Sequence, residues 1–175
     1  NKVISAIWDI ETSDLKPAFG VMLCAGIKEI GKPAKILKEG RRGGNDRDLV
    51  VALRDELEKY DILIGFYSLG FDLRFLNARL RKHKERPLAK RLHVDVYRIV
   101  KKGWPRETSC SLAAVCEWLG IQGKTRIHPD QWRLASFEGD KKALKYISDH
   151  CVADVEILEK VLNEFKRDIV SVSLA

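Results

Sequence analysis

A chain of 175 residues, 45% hydrophobic and 33% charged, is long enough to bury roughly 70% of the surface that its unfolded form exposes, so its core needs no disulfide staple. That composition excludes a disordered chain, and apolar runs that stop at roughly ten residues fall short of the roughly 20 that carry a helix across a bilayer. The formal charge of +7 favours a polyanionic partner, because Lys and Arg that neutralise phosphates gain affinity by releasing counterions.

Asp9, Glu11 and Asp14 interrupt the opening segment and no basic lead precedes a long apolar block, so no signal peptide is expected and the setting is expected to be cytoplasmic. Residues 3–10 read as a first strand. A turn around Pro17 leads to a second over 20–30, and Gly31-Lys32-Pro33 leads to a short third over 34–37, which together suggest an antiparallel meander. Gly40-Arg41-Arg42-Gly43-Gly44-Asn45 reads as a flexible loop, and Asp46 as the N-cap of a helix that carries Leu49, Val50, Leu53 and Leu57 at helical spacing.

Residues 61–66 form a short continuous apolar run of the kind found in a buried central strand. An amphipathic helix follows from Gly70 to about 81, with Leu73, Leu76 and Leu80 on one side and arginines among its polar positions. Residues 92–97 read as a fifth strand. Ser109 or Ser111 can cap a helix around Leu112, Val115 and Leu119 that Gly120 closes, and a last helix spans 141–166 with Leu144, Ile147, Val155, Leu158 and Leu162 inward. Cys24, Cys110, Cys116 and Cys151 show no Cys-x-x-Cys pairing and are expected as buried, reduced thiols. The pattern predicts one α/β domain over residues 1–175, a mixed five-stranded sheet flanked by helices.

Four acids stand out from this framework. Side chains of a strand alternate faces, so Asp9 and Glu11 project together from the end of the first strand and repel. A divalent hard cation such as Mg²⁺ or Mn²⁺ cancels that repulsion and suits carboxylate oxygens. Asp72 begins the helix after the central strand, a position that an ordinary N-terminal acid also explains. Asp154 lies within a helix among Cys151, Val152, Val155 and Leu158, surroundings that raise a carboxyl pKa unless a cation compensates.

Taken together, Asp9-Ile10-Glu11, Gly70-Phe71-Asp72 and His150-x3-Asp154 resemble the DEDD superfamily of 3′-to-5′ exonucleases. The resemblance is narrower still to the stand-alone branch related to the exonuclease domain of family B DNA polymerases, which has a ribonuclease H-like fold. It runs through Trp8 to Ser13, Ile64 to Leu76 and His150 to Leu158, and the segment Ser111-Leu112 resembles the family's spacer helix. Two departures stand out. Tyr67 occupies the place, four residues before Phe71, where relatives commonly carry Asn. The third motif is neither Tyr-x3-Asp nor His-x4-Asp but a hybrid, with His150 one turn before Asp154 on the same helix face.

The resemblance implies that Asp9, Glu11, Asp72 and Asp154 hold two Mg²⁺ or Mn²⁺ ions roughly 3.5–4 Å apart at a scissile phosphate, releasing 5′-nucleotides from a 3′ end. His150 is the expected general base and Tyr146 the fallback for orienting the water. Thr12, Phe66, Tyr67, Phe71 and Arg79 are the candidate substrate contacts, and Arg79, Arg81, Lys82, Lys84, Arg86, Lys90 and Arg91 form a basic stretch that either tracks a phosphate backbone or is a solvated helix face. Trp104 and Trp132 are candidates for stacking on bases or for core packing. The expected partner is single-stranded nucleic acid with a free 3′ end, DNA before RNA, handled by a monomer that can belong to a larger repair or replication assembly. The competing readings are a ribonuclease H-like endonuclease, an RNA-directed exonuclease and a binding module with a vestigial site.

Overall fold

The computed structural model describes residues 2–38, 45–124, 126–169 and 173–175, without the side chains of Phe137, Ser173 and Leu174. The loop expected over Gly40 to Asn45 lies outside the described residues except for Asn45. Strands β1 (Ser5–Thr12), β2 (Met22–Glu29) and β3 (Lys35–Lys38) form the expected antiparallel meander. They are followed by α1 (Arg47–Leu57), β4 (Ile62–Gly65), α2 (Asp72–Lys82) and β5 (Leu92–Asp95). The rest comprises α3 (Val96–Lys101), α4 (Leu112–Leu119), α5 (Pro129–Arg133) with a π-helical continuation over Leu134–Glu138, α6 (Lys141–Glu164) and a two-residue strand β6 (Ser173–Leu174).

The sheet order is β3-β2-β1-β4-β5-β6, with β4 parallel to both β1 and β5. Five strands are those expected, and β6 adds a short antiparallel edge. Alternation along β1 sends Ala6, Trp8 and Ile10 into the core under α1 and α2, where they meet Leu53, Phe75 and Leu76. Ile7 goes to the opposite face, with Val155 and Leu158 of α6. Asp9 and Glu11 share the parity of Ile7 and therefore face α6. That helix lies close to β2: a Cβ on Gly26 would sit 3.1 Å from the carbonyl oxygen of Cys151 and 3.2 Å from its sulfur. All four cysteines are buried free thiols, as expected.

Two local expectations change, at the end of β5 and the start of α1, and a third is resolved between its alternatives. The fifth strand stops at Asp95, because its carboxylate accepts from the Tyr97 backbone N–H at 3.2 Å and starts α3 at Val96. Of the two serines, Ser111 caps α4 by accepting from the Ala114 N–H, and Gly120 closes the helix in the left-handed region at φ 69°. Asp46 precedes α1, but its side chain makes no cap hydrogen bond. It is fully buried instead, accepting from the Met22 N–H at 2.8 Å and from Arg79 through Nε at 2.9 Å and Nη2 at 2.8 Å. Burial pushes its carboxyl up, yet the bonds from Arg79, Met22 and His83 outweigh burial and hold it below the ordinary range.

Arg79, expected at the substrate, is thus a buried structural residue that joins α2 to the start of α1 and β2. The rest of the basic stretch divides as well. Arg86 makes a bidentate pair with Glu58 at 2.6 and 2.7 Å, and Arg91 donates to the Glu58 carbonyl at 2.8 Å.

Removing one member of a buried ion pair leaves the other charge unpaired. Arg79→Ala is therefore expected to lower unfolding free energy by about 3–5 kcal/mol, whereas exposed Arg81→Ala changes it by less than about 0.5 kcal/mol. Urea denaturation distinguishes them, and equal losses would contradict the structural role of Arg79.

Candidate active site

The parallel pairing of β1 with β4 ends at Ile7, opposite Ile64, while β1 runs on to Thr12. Beyond that point the backbone of β1 needs another partner on this side. Asp72 provides it: its Oδ1 accepts from the Ile10 N–H at 3.1 Å, inserting the first residue of α2 into the gap. The crevice beyond the carboxyl ends of parallel strands is where α/β sheets commonly bind ligands.

The turn from Gly65 to Asp72 is tightly determined. A Cβ on Gly65 would come within 2.4 Å of the Ser68 side chain. Tyr67 stands at φ 58°, a left-handed conformation that costs an L-residue about 1–3 kcal/mol. Buried Asp95 offsets this by accepting from the N–H groups of Tyr67 at 2.7 Å and Leu69 at 3.3 Å. Tyr67 is held half exposed, its ring edge-on to Tyr97 with centroids 5.0 Å apart, and Phe66 meets Tyr97 at 5.7 Å.

Asp9, Glu11, Asp72 and Asp154 all line one open pocket of about 520 Å³, together with His150, Phe66, Tyr67 and Phe71. Ligand atoms of Asp9, Glu11 and Cys151 lie within 4.8 Å of one another. The Cys151 sulfur is 3.5 Å from the Asp9 carbonyl oxygen and 3.8 Å from its Oδ2. A hydrogen bond with Cys24, burial and the negative charge of Asp9 push this thiol well above its ordinary pKa, so it stays protonated and faces the site as a weak donor. A soft thiol suits a hard cation poorly, which leaves the carboxylates as the donor set.

Burial pushes Asp9 well above the usual carboxylate range, and the charges of Glu11, Asp72 and Asp154 push it further. Burial raises Glu11 in the same way, reinforced by Cys24 and Asp154. Burial carries Asp72 to about 7 despite the Ile10 hydrogen bond. Asp154 is also raised by burial, against the opposing pull of Lys124, whose Nζ bonds both carboxylate oxygens at 2.7 and 2.8 Å. Four converging acids with elevated pKa values and one lysine among them fit hard divalent cations, which relieve repulsion that a single ammonium relieves only in part.

His150 and Asp154 share the site face of α6, and the His150 ring packs against Tyr146 with centroids 4.6 Å apart. Tyr146 stays outside the pocket lining and supports His150 from behind. The Thr12 hydroxyl donates to the Asp14 carbonyl at 2.9 Å and lies outside that lining, and Arg79 is away in the core. Trp132 lines the pocket, whereas Trp104 packs edge-on against Trp118 beside another cavity. Sequence reasoning missed Lys124 and Arg126, which enter from an irregular stretch between α4 and α5, and it missed Asp95 beneath the turn. A lone Lys in a loop carries no periodicity that points to an acid 30 positions away.

This arrangement defines an α/β protein of ribonuclease H type with an acidic site at the end of its central strand. A family profile described as the RNase_H superfamily matches residues 6–166, and the chain belongs to that superfamily. A comparison with curated proteins found no match. Among solved structures the chain is similar to the family B DNA polymerase from the hyperthermophilic archaeon Pyrobaculum calidifontis, at TM-score 0.77 and 17% identity. That match covers 95% of this chain and 25% of the polymerase chain. The ribonuclease H-like fold expected from the three acidic motifs is therefore present. Among the described residues, no helix is long and apolar enough to cross a membrane.

A carboxyl whose pKa is higher folded than unfolded binds a proton that the unfolded chain has already lost. Its stabilising contribution is complete below the unfolded value, about 3.9 for Asp, and is lost as pH rises through the folded value, about 7 for Asp72. With EDTA present, the wild-type Tm is expected to fall relative to Asp72→Asn between pH 4 and about 8. Calorimetry across that range checks it, and a constant difference in Tm would contradict the raised acid.

Proposed function

We propose that the chain is a metal-dependent 3′-to-5′ exonuclease that hydrolyses single-stranded nucleic acid, DNA before RNA, and releases 5′-nucleotides. The observation that carries this reading is the meeting of Asp9, Glu11, Asp72 and Asp154 in one pocket with His150 beside them. The four carboxylates would hold two Mg²⁺ or Mn²⁺ ions, which when bound supply activation of the attacking water and neutralise charge at the phosphate and leaving 3′-oxygen. His150 accepts the proton of that water at an imidazole nitrogen, with the Tyr146 ring fixing its orientation. Phe66, Tyr67 and Phe71 offer apolar faces to the terminal bases, and Trp132 lines the same pocket. The whole domain over residues 1–175 is taken to act as one unit, handling a strand with a free 3′ end.

Lys124 holds Asp154 closed in a charge-assisted pair, so cation loading competes with its ammonium. Lys124→Met is expected to bind Mn²⁺ several-fold more tightly by titration calorimetry. Weaker binding would mean that Lys124 organises the acids rather than competing for them.

End-labelled single-stranded DNA and RNA digested side by side, with a circular single strand as control, test the activity directly. Expected are mononucleotide products from linear strands with Mg²⁺ or Mn²⁺ and an intact circle. Cleaved circles would instead assign a ribonuclease H-like endonuclease. Asp9→Ala should lower the rate by about 10³-fold or more, since charge stabilisation by bound metal is worth several kcal/mol. Wild-type turnover in that variant would remove the acids from the chemistry.

A further inference from the structure

A second cavity, of about 750 Å³, lies on the other side of α2 and is flanked by three arginines, Arg74, Arg81 and Arg98. Arg74 and Arg81 are seven positions apart, two helical turns, so they share one face of α2, roughly opposite Asp72 around the helix. All three are exposed, and among the described residues none of them forms an ion pair. The carboxylate of Glu85 also reaches this cavity, but it is already engaged by Arg47 and by Arg54 at 3.6 Å. Arg98 also lies within the field of buried Asp95, whose carboxylate accepts from the N–H groups of Tyr67, Leu69 and Tyr97. Three guanidinium groups, without an ion-pair partner among the described residues, therefore surround a cavity with an apolar base of Leu69, Leu73 and Pro87.

The two cavities are connected through one short segment. Tyr67 and Phe71 line the acidic pocket, and Leu69 between them lines the arginine cavity. Tyr97, against which Tyr67 packs, is followed directly by Arg98. The 66–71 turn therefore contributes side chains to both cavities.

We infer that the arginine cavity is a phosphate subsite for the single strand a few nucleotides back from its 3′ end, with the half-exposed Tyr67 ring of the 66–71 turn as the ridge over which the strand bends. The inference rests on the exonuclease reading and deepens it, because it separates the affinity for long strands from the chemistry at the terminus. Guanidinium forks suit phosphate oxygens, and the apolar base suits the sugar or base between them.

The test measures fluorescence anisotropy of labelled oligothymidylates of 4 and 16 nucleotides in an Asp9→Asn background with Mg²⁺, at several salt concentrations. Arg74→Ala/Arg81→Ala/Arg98→Ala is expected to bind the 16-mer at least tenfold more weakly. Its log–log salt slope should fall by about 2, at about 0.7 per lost single-strand phosphate contact. Tetramer affinity should change less than twofold, and the triple Lys variant should keep the wild-type salt slope. Unchanged 16-mer affinity in the triple Ala variant overturns the subsite. So does loss of free mononucleotide binding with 16-mer affinity intact, which would assign the cavity to a soluble nucleotide. Cleavage of the tetramer by the unmodified protein reports on the exonuclease reading independently: cleavage with an unaffected 16-mer removes only the subsite, whereas no cleavage and no strand binding removes both.

Discussion

Repulsion among four carboxylates enclosed in one pocket sets the conditions that the surrounding structure has to meet. Each acid is raised by burial, and Asp9 is raised further by the charges beside it. Such a grouping destabilises the isolated fold at neutral pH. What holds it in place is the packing around it: Trp8 and Ile10 on one side of β1, Ile7 with Val155 and Leu158 on the other. Asp9 and Glu11 cannot separate without disturbing the central strand of the sheet, so their repulsion is held for a cation to relieve.

The same economy of placement governs the approach to the pocket. Because β1 outruns its parallel neighbour β4, a backbone N–H at Ile10 is left without a ladder partner, and the Asp72 carboxylate takes it. One side chain therefore completes the backbone bonding and contributes to the acidic site. Getting Asp72 there requires the compact turn after Gly65, with Tyr67 in a left-handed conformation and Asp95 tying down the turn's N–H groups. Strain at Tyr67 accompanies a ring that stands out beside the pocket, as expected where a backbone is constrained for function.

The arginines show how differently equal charges are used. Arg79 lies on the inner face of α2 and is buried against Asp46, where it fastens α2 to the start of α1. Arg86 and Arg91 fasten the segment after α2 to Glu58. Arg74 and Arg81, on the outer face, are left to solvent with Arg98. Helical rotation, not composition, decides between a structural cation and one available to a ligand.

Much of this protein is legible in the order of its residues. Alternation along β1 puts Asp9 and Glu11 on one face, and the spacing of His150 to Asp154 puts both on one side of α6. Helical and strand periodicity locate the meander, α1, α2 and α6, because local patterning follows local burial. Contacts between distant segments carry no such pattern. That Asp46 turns inward to Arg79 and not along α1, that Asp95 ends β5 and secures a turn 28 residues earlier, and that Lys124 reaches Asp154 all depend on how elements pack after they form. Which acids can share a face follows from the order of residues, since backbone geometry fixes that within one element. Which faces meet, and which cations they meet there, is settled by folding, since those choices come from desolvation and close packing between elements far apart along the chain.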